Sequence, residues 1–504
     1  MQTRRTILIG AGVAAGVGVL AYSLSPRRFV PTRALAPPPD MGEGKTVSVR
    51  FAAAERLTSL PCFGDRKLPM WTFADGAWPP IVRLDLGDRL EATLENQLTR
   101  AGESTTIHWH GIRLPVDQDG VAYITQPPVE PGGACHYAFT PPDTGTYFFH
   151  PHCDTVEQLG RGLVGILIVD GDTTEPYDAD TLLVLRDWLV EPGASEFDPF
   201  FTLIGAGRAG TYGPLRSTNG ASDPAMPMPA SADCRLRLVN VDATRIMQIS
   251  IEGAEAAIVA IDGHPVTPFA LSTWLLGPAM RADVVIRTPR EGGVVRLIDS
   301  SEQPRAELAR FIATGAARRK TAFDPAPLRR AAIPEPDLNN ATRLTFALDV
   351  TSAEKAIAAI ATSEIIPAST AAFPGVDIGA LCLSRASFWT VNGRIWPEAS
   401  PDAARGGARV PVAPLASLKR NGTYIFEFTN NTPFSHPVHL HGFAFTVLSA
   451  SKFARPVHIA DTVLLLPQER VEFAFVADNP GNWMLHCHVI EHQESGMMGY
   501  IRVA

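Results

Sequence analysis

Thirteen histidines are present in the 504 residues, and eight of them form four H-x-H pairs: His108 with His110, His150 with His152, His439 with His441, and His486 with His488. At this histidine density such a pair should arise by accident on the order of a third of one time in the whole chain. On a strand, residues i and i+2 share a face with Cβ atoms roughly 6.5–7 Å apart. The two imidazoles of a pair can then reach different metal ions of one cluster while the residue between them points away. Cys487 lies between His486 and His488 and so projects to the opposite face, where His492, Met497 and the separate His436 can meet it. One thiolate, two imidazoles and a thioether are the ligand set of an electron-transfer copper site, in which soft sulfur selects copper and a weak axial methionine tunes the potential. Zinc is disfavoured, because structural zinc closes on four Cys or His ligands and leaves eight further histidines without a role.

These side chains need strands to carry them. Residues 80–111 alternate as strands do, with Val82, Leu84 and Leu86, a Gly87-Asp88 turn, then Leu90, Ala92 and Leu94, and the run ends in His108-Trp109-His110-Gly111. Residues 415–442 repeat the design and end in His439-Leu440-His441-Gly442. Each copy continues with a Gly-aromatic strand that closes on the second pair, Gly145 to His152 in one and Gly481 to His488 in the other. Two linked motifs recurring in the same order mark an internal repeat. Residues 235–263 form a third alternating, turn-punctuated segment without paired histidines. All three segments are expected to be antiparallel sandwiches.

A length of 504 residues exceeds one hydrophobic core, and 41 glycines, 43 prolines and 19% charged residues suit short buried strands joined by many turns. The net charge of -8 offers no broad basic field for a nucleic acid. The runs Arg318, Arg319, Lys320 and Arg329, Arg330 read as solvated linker charge. Arg4 and Arg5 precede an uncharged Gly- and Ala-rich stretch, and Ala34-Leu35-Ala36 offers a small-residue cleavage site, the pattern of a twin-arginine export signal. A retained anchor is the alternative. The expected organisation is a leader with linker over 1–44, a ligand-bearing domain over 45–172, a domain without copper ligands over 173–315, a linker over 316–340 and a second ligand-bearing domain over 341–504. The export machinery is then a transient partner, no stable membrane partner is expected, and the mature protein is periplasmic or otherwise extracytoplasmic. Pairing among the six cysteines stays open.

The run His486-Cys487-His488-Val489-Ile490-Glu491-His492 followed by Met497, with the companion His436-Pro437-Val438-His439-Leu440-His441, resembles the multicopper oxidases of laccase and cuprous-oxidase type. The resemblance implies an all-β chain of three consecutive cupredoxin-like Greek-key sandwiches holding four copper ions. It implies His108 and His439 on type 2 copper, and His110, His150, His152, His441, His486 and His488 on a type 3 pair. Type 1 copper takes His436, Cys487, His492 and axial Met497, with Met498 the neighbouring alternative. By the same resemblance, a small reductant gives electrons singly at type 1 copper, near the edge of His492, with His436 as fallback. They pass through Cys487 and His486 or His488, and dioxygen is reduced to water.

Asp119, nine residues after His110, matches the family's carboxylate near type 2 copper and is the expected proton relay, although Asp-Gly also favours a plain turn here. Gln493 stands where bacterial relatives often carry Glu, and an amide cannot serve as an acid. Glu494, in a strand-like segment, is expected to face away. His136, His264 and His458 read as ordinary surface or turn residues, Trp109 and Phe149 as core, and Met226 and Met228 as weak evidence for soft metal. Residues 314–401 contain no methionine, which favours a phenol-like organic donor and leaves Cu(I) and Mn(II) open. A copper carrier would need only the Cys487 site, a metal-free scaffold would not keep twelve ligands, and a copper nitrite reductase has no use for a binuclear pair.

Overall fold

The computed structural model describes residues 33–350, 388–396 and 413–504. The alternation read from the sequence is the alternation of burial: in the strand Arg89–Asn96, Leu90, Ala92 and Leu94 face the core while Glu91, Thr93 and Glu95 are half-buried. Strands of this kind build six sheets that pack as three sandwiches. In the first, Leu68–Thr72, Thr46–Thr58, Arg89–Asn96 and Ala134–Phe139 face Ile81–Asp85, Gly165–Asp170, Gly145–His150 and His108–His110. The second and third each pair a six-stranded with a five-stranded sheet. Apolar side chains of both sheets interdigitate in each sandwich: Phe51, Leu94, Trp109 and Phe149 in the first, Leu236, Ile258 and Phe311 in the second, Phe346, Phe426, Leu440 and Leu485 in the third.

The sandwiches are not antiparallel throughout, contrary to the sequence-based expectation. Thr46–Thr58 runs parallel to Arg89–Asn96, and the equivalent strands of the other two sandwiches, Ala179–Trp188 with Asp233–Asn240 and Thr342–Val350 with Thr423–Asn430, do the same. A second parallel pairing joins Ile81–Asp85 to Gly165–Asp170, Ala225–Pro229 to Ala306–Thr314, and Ala416–Leu418 to Met498–Val503. The chain visits the opposite sheet between the partners, and such a long crossover permits the parallel direction that a hairpin forbids. The recurrence of both pairings shows the middle segment to be a third copy of the same unit.

Residues 1–32 lie outside the description, and with them the twin-arginine pattern; Ala36 is tied down, donating to the Leu328 carbonyl. Residues 351–387 and 397–412 lie outside as well, and with them Cys382 and part of the methionine-free stretch. No helix among the described residues is long and apolar enough to cross a membrane. Among the described residues, Cys62, Cys135, Cys234 and Cys487 carry free thiols. Arg319 is not merely solvated, since its Nε donates to Asp178 at 2.8 Å.

Candidate metal centre

The ligand-bearing strands of the first and third sandwiches are built alike. His108–His110 pairs antiparallel with Gly145–His150, placing His108 opposite His150, and His436–Leu440 pairs with Gly481–Cys487, placing His439 opposite His486. The two sandwiches bring these edges together, so all eight paired histidines converge on one buried space. His108 stacks on His441 with ring centroids 3.9 Å apart, and His110 on His439 at 3.7 Å. Donor atoms lie within 4.8 Å of one another in the triples His108-His439-His441, His108-His110-His150 and His152-His441-His486.

The hydrogen bonds assign the tautomers. His108 and His439 donate from Nδ1 to the carbonyls of Asp119 and Asp461, His150 to that of Pro151 and His486 to that of Cys487, each at 2.8–2.9 Å. His441 donates from Nδ1 to the Asp119 carboxylate at 3.1 Å, and His110 does the reverse, donating from Nε2 to Asp461 at 3.1 Å. The opposite nitrogens, Nε2 of His108, His150 and His439 and Nδ1 of His110, are buried lone pairs without a partner among the described residues, and neither nitrogen of His488 is bonded there, so that neutral ring offers one further lone pair. His441 Nε2 and His486 Nε2 face each other at 3.1 Å with their protons committed elsewhere. Two lone pairs in that position repel unless a cation stands between them. Burial first, then the charge of adjacent imidazoles, pushes His110, His150, His152, His441, His486 and His488 well below the ordinary histidine range. The neutral ring this enforces is the ligating form, and a ring whose other nitrogen donates to a carbonyl or carboxylate is oriented for metal. The residues present therefore fit a copper cluster.

The second donor set lies on the other side of the same strand. Cys487 Sγ is 3.5 Å from His436 Nδ1 and 3.8 Å from His492 Nδ1, and the two nitrogens are 3.1 Å apart. This triangle has the composition of a trigonal blue-copper site. His436 Nε2 is held by Thr432 Oγ1 at 2.7 Å, and Val489 N–H donates to the sulfur at 3.4 Å. Burial pushes the Cys487 thiol up, so a metal would take the place of its proton. Met497 is fully buried in the core that contains Cys487, whereas Met498 packs with Val121, Trp396, Met484 and Tyr500 in a separate cluster, which separates the two candidates.

His492 is not an exposed edge. It is fully buried, and its Nε2 donates at 2.6 Å to the backbone carbonyl of Arg208 from the middle sandwich. The cover is clamped by Glu491, whose carboxylate accepts from Thr202 N at 3.0 Å, from Thr211 Oγ1 at 2.9 Å and from Thr211 N. Trp389 closes it from the third sandwich: its Nε1 donates to the Ala206 carbonyl at 2.7 Å, and its ring lies 4.7 Å from that of His492. Glu491, Trp389 and Arg208 carried no spacing signal, because their partners lie in other domains.

Asp119 occupies the turn before Gly120 and also serves the site. It is buried, accepts from His441, and caps the short 3-10 turn Val116–Gln118. Residues Ile490–Glu494 form a helical turn rather than a strand, which corrects the placement of Glu494: it is buried and accepts from Val156 N at 2.7 Å. Gln493 is buried with neither amide atom bonded among the described residues, a cost that ordered water would relieve. Of the lone histidines, His136 is exposed, but His264 and His458 are buried rather than superficial. His264 opens the edge strand His264–Ala270 of the middle sandwich, and His458 donates to the Pro456 carbonyl. Met226 and Met228 pack in the middle core, and Trp109 and Phe149 are core as expected.

Three family models described as multicopper oxidase match residues 59–174, 196–294 and 390–504. The chain is 29% identical to multicopper oxidase MmcO of Mycobacterium tuberculosis, over 97% of this chain and 94% of that one, and 27% identical to laccase-1 of Botryotinia fuckeliana, over 83% and 75%. Its fold superposes on the crystal structure of a multicopper oxidase from Pseudomonas thermotolerans with a TM-score of 0.77 and 33% identity, covering 92% of this chain and all of that one. With the two donor sets and these likenesses in hand, the chain belongs to the multicopper oxidases and is a copper-dependent oxidoreductase.

Proposed function

We propose that the protein couples one-electron oxidation of a small organic, phenol-like reductant to the four-electron reduction of dioxygen to water. His436, Cys487, His492 and Met497 would hold type 1 copper, His108 and His439 type 2 copper, and His110, His150, His152, His441, His486 and His488 the type 3 pair, four ions in all. Bound copper supplies the electron storage and the dioxygen chemistry, and the chain supplies spacing, protons and access. The observation that carries this reading is the set of buried, proton-free imidazole nitrogens that point into one space without a partner among the described residues. Cys487 is joined by single peptide links to His486 and His488, so the two donor sets are covalently connected. The Asp119 carboxylate, against His441, is placed to hold a proton beside the cluster.

The nature of the donor is read from the cover over His492. Residues 201–210, Phe-Thr-Leu-Ile-Gly-Ala-Gly-Arg-Ala-Gly, contain neither carboxylate nor thioether, and they expose Ile204 and Arg208. A metal-ion donor would want oxygen or sulfur ligands there; an apolar edge with a cation suits an aromatic ring carrying a phenolate. The leader pattern at Arg4 and Arg5 supports a site of action outside the cytoplasm. The test is a copper-reconstituted preparation assayed for metal content, colour and oxygen uptake with a phenol, Cu(I) and Mn(II) side by side. A blue protein with the phenol favoured in kcat/KM is expected. A colourless protein holding fewer than three coppers ends the oxidase reading, and a preference for Cu(I) or Mn(II) ends the phenol reading alone.

A further inference from the structure

The middle sandwich contributes none of the twelve proposed ligands, yet one of its side chains reaches the cluster. Arg281, on the strand Arg281–Arg287, is fully buried and uses all five of its guanidinium N–H groups. Nε donates to the Thr146 carbonyl of the first sandwich at 3.2 Å. Nη1 donates to the Ala279 carbonyl at 3.0 Å and to Asp461 Oδ1 at 2.9 Å. Nη2 donates to the Asp262 carbonyl at 2.9 Å and to Asp461 Oδ2 at 2.5 Å. One rigid fork thus touches all three sandwiches.

Asp461 in turn faces the histidines. Its Oδ1 accepts from His110 Nε2 at 3.1 Å and from Thr462 Oγ1 at 2.8 Å, while its backbone carbonyl accepts from His439 Nδ1. Thr462 Oγ1 also lies 3.1 Å from His439 Nδ1 and 3.2 Å from His110 Nε2, and Thr462 N donates to Asp262 Oδ2 at 3.2 Å. His110, His439 and Asp461 bring donor atoms within 4.8 Å of one another, the spacing of a metal-binding triple. The Arg281 cation on both carboxylate oxygens argues against a dication there, so Asp461 acts as an acceptor that decides which His110 nitrogen keeps its proton.

We propose that Arg281 is a positioning residue for the trinuclear centre: through Asp461 it fixes the tautomer and orientation of His110, and with them the seating of His439, so that a domain without ligands sets copper occupancy. The inference rests on the copper assignment above. Removing a group that orients a metal's ligand costs about 10–100-fold in metal affinity or activity. The test is Arg281→Met, with Arg281→Lys as the variant that keeps the charge and loses the fork. Both are titrated as apo-protein with copper and read by optical absorption and electron paramagnetic resonance.

The type 1 band, and its bleaching by a phenol without oxygen, should survive in both variants, because that donor set belongs to the third sandwich. Copper affinity at the trinuclear centre should fall at least 10-fold in Arg281→Met, with an altered type 2 signal, and Asp461→Asn should add little in that background. Wild-type occupancy and type 2 signal in Arg281→Met would overturn the proposal. Loss of both centres together in both variants would overturn it too, since that is the result of a purely structural arginine. A wild-type protein lacking the blue band refutes the oxidase reading instead.

Discussion

Gly111, which closes the first H-x-H-G motif, offers a quantitative test of how tightly the cluster's surroundings are set. Its φ is +86°, and a Cβ there would lie 2.4 Å from both Arg281 Nη2 and Asp461 Oδ2. These are side-chain ends, which elsewhere could retreat, but the fork is committed to partners in three sandwiches. Ala at this position adds about 1–2 kcal/mol for left-handed backbone and about 1.5–3 kcal/mol for one lost charged hydrogen bond, so about 2.5–5 kcal/mol together. Gly132 is the control, because its φ is +78° and nothing lies within 4 Å of its Cβ. Gly132→Ala should show the backbone part alone. Denaturant unfolding of the apo-proteins, with copper content of the reconstituted ones, measures both. The expected gap between the two variants is about 1.5–3 kcal/mol, accompanied by copper loss in Gly111→Ala only. Equal destabilisation and equal copper content would refute the reasoning, since the fork would then yield freely.

Asp119→Asn keeps an oxygen acceptor for His441 but no exchangeable acid, so turnover should fall by about 10²-fold or more while the type 1 band and its anaerobic reduction stay unchanged; comparable turnover would count against a relay role. Burial lowers His264 and His458 to about 4, with the Asp143 carboxylate partly opposing it at His264 and the Pro456 carbonyl at His458. Because the folded-state value lies below the unfolded value near 6.5, the unfolded chain binds more protons. Stability is therefore full above pH ~6.5 and falls as pH drops toward 4, by up to about 3 kcal/mol per histidine. His458→Gln should flatten that slope in apo-protein denaturation measured across this window.

The candidate donor residues were legible because a period of two on a strand is a local property, and the pairs, the intervening Cys487 and the repeat all follow from it. What was not legible depends on partners from elsewhere in the chain. Arg281 reads as one charge at the start of an apolar strand, and only its meeting with Asp461, 180 residues later, explains it. Glu491 lies inside the most recognisable motif, yet its task is to accept from Thr202 and Thr211, 289 and 280 residues earlier. The helical turn at Ile490–Glu494 escaped because five residues hold too little periodicity to separate helix from strand, and Glu494 was misplaced with it. The parallel pairings escaped for a similar reason, since alternation reports which face is buried and not which neighbour the strand takes.

His110 finds its acceptor 351 residues further along, and each half of the cluster offers only part of the imidazole set, such as His108, His110 and His150 of the first sandwich, until that meeting occurs. Before the first and third sandwiches dock, that space therefore offers an ion only part of its eight imidazoles. The full eight-imidazole space exists only once the two sandwiches have docked. Long-range docking of this kind is slow to nucleate.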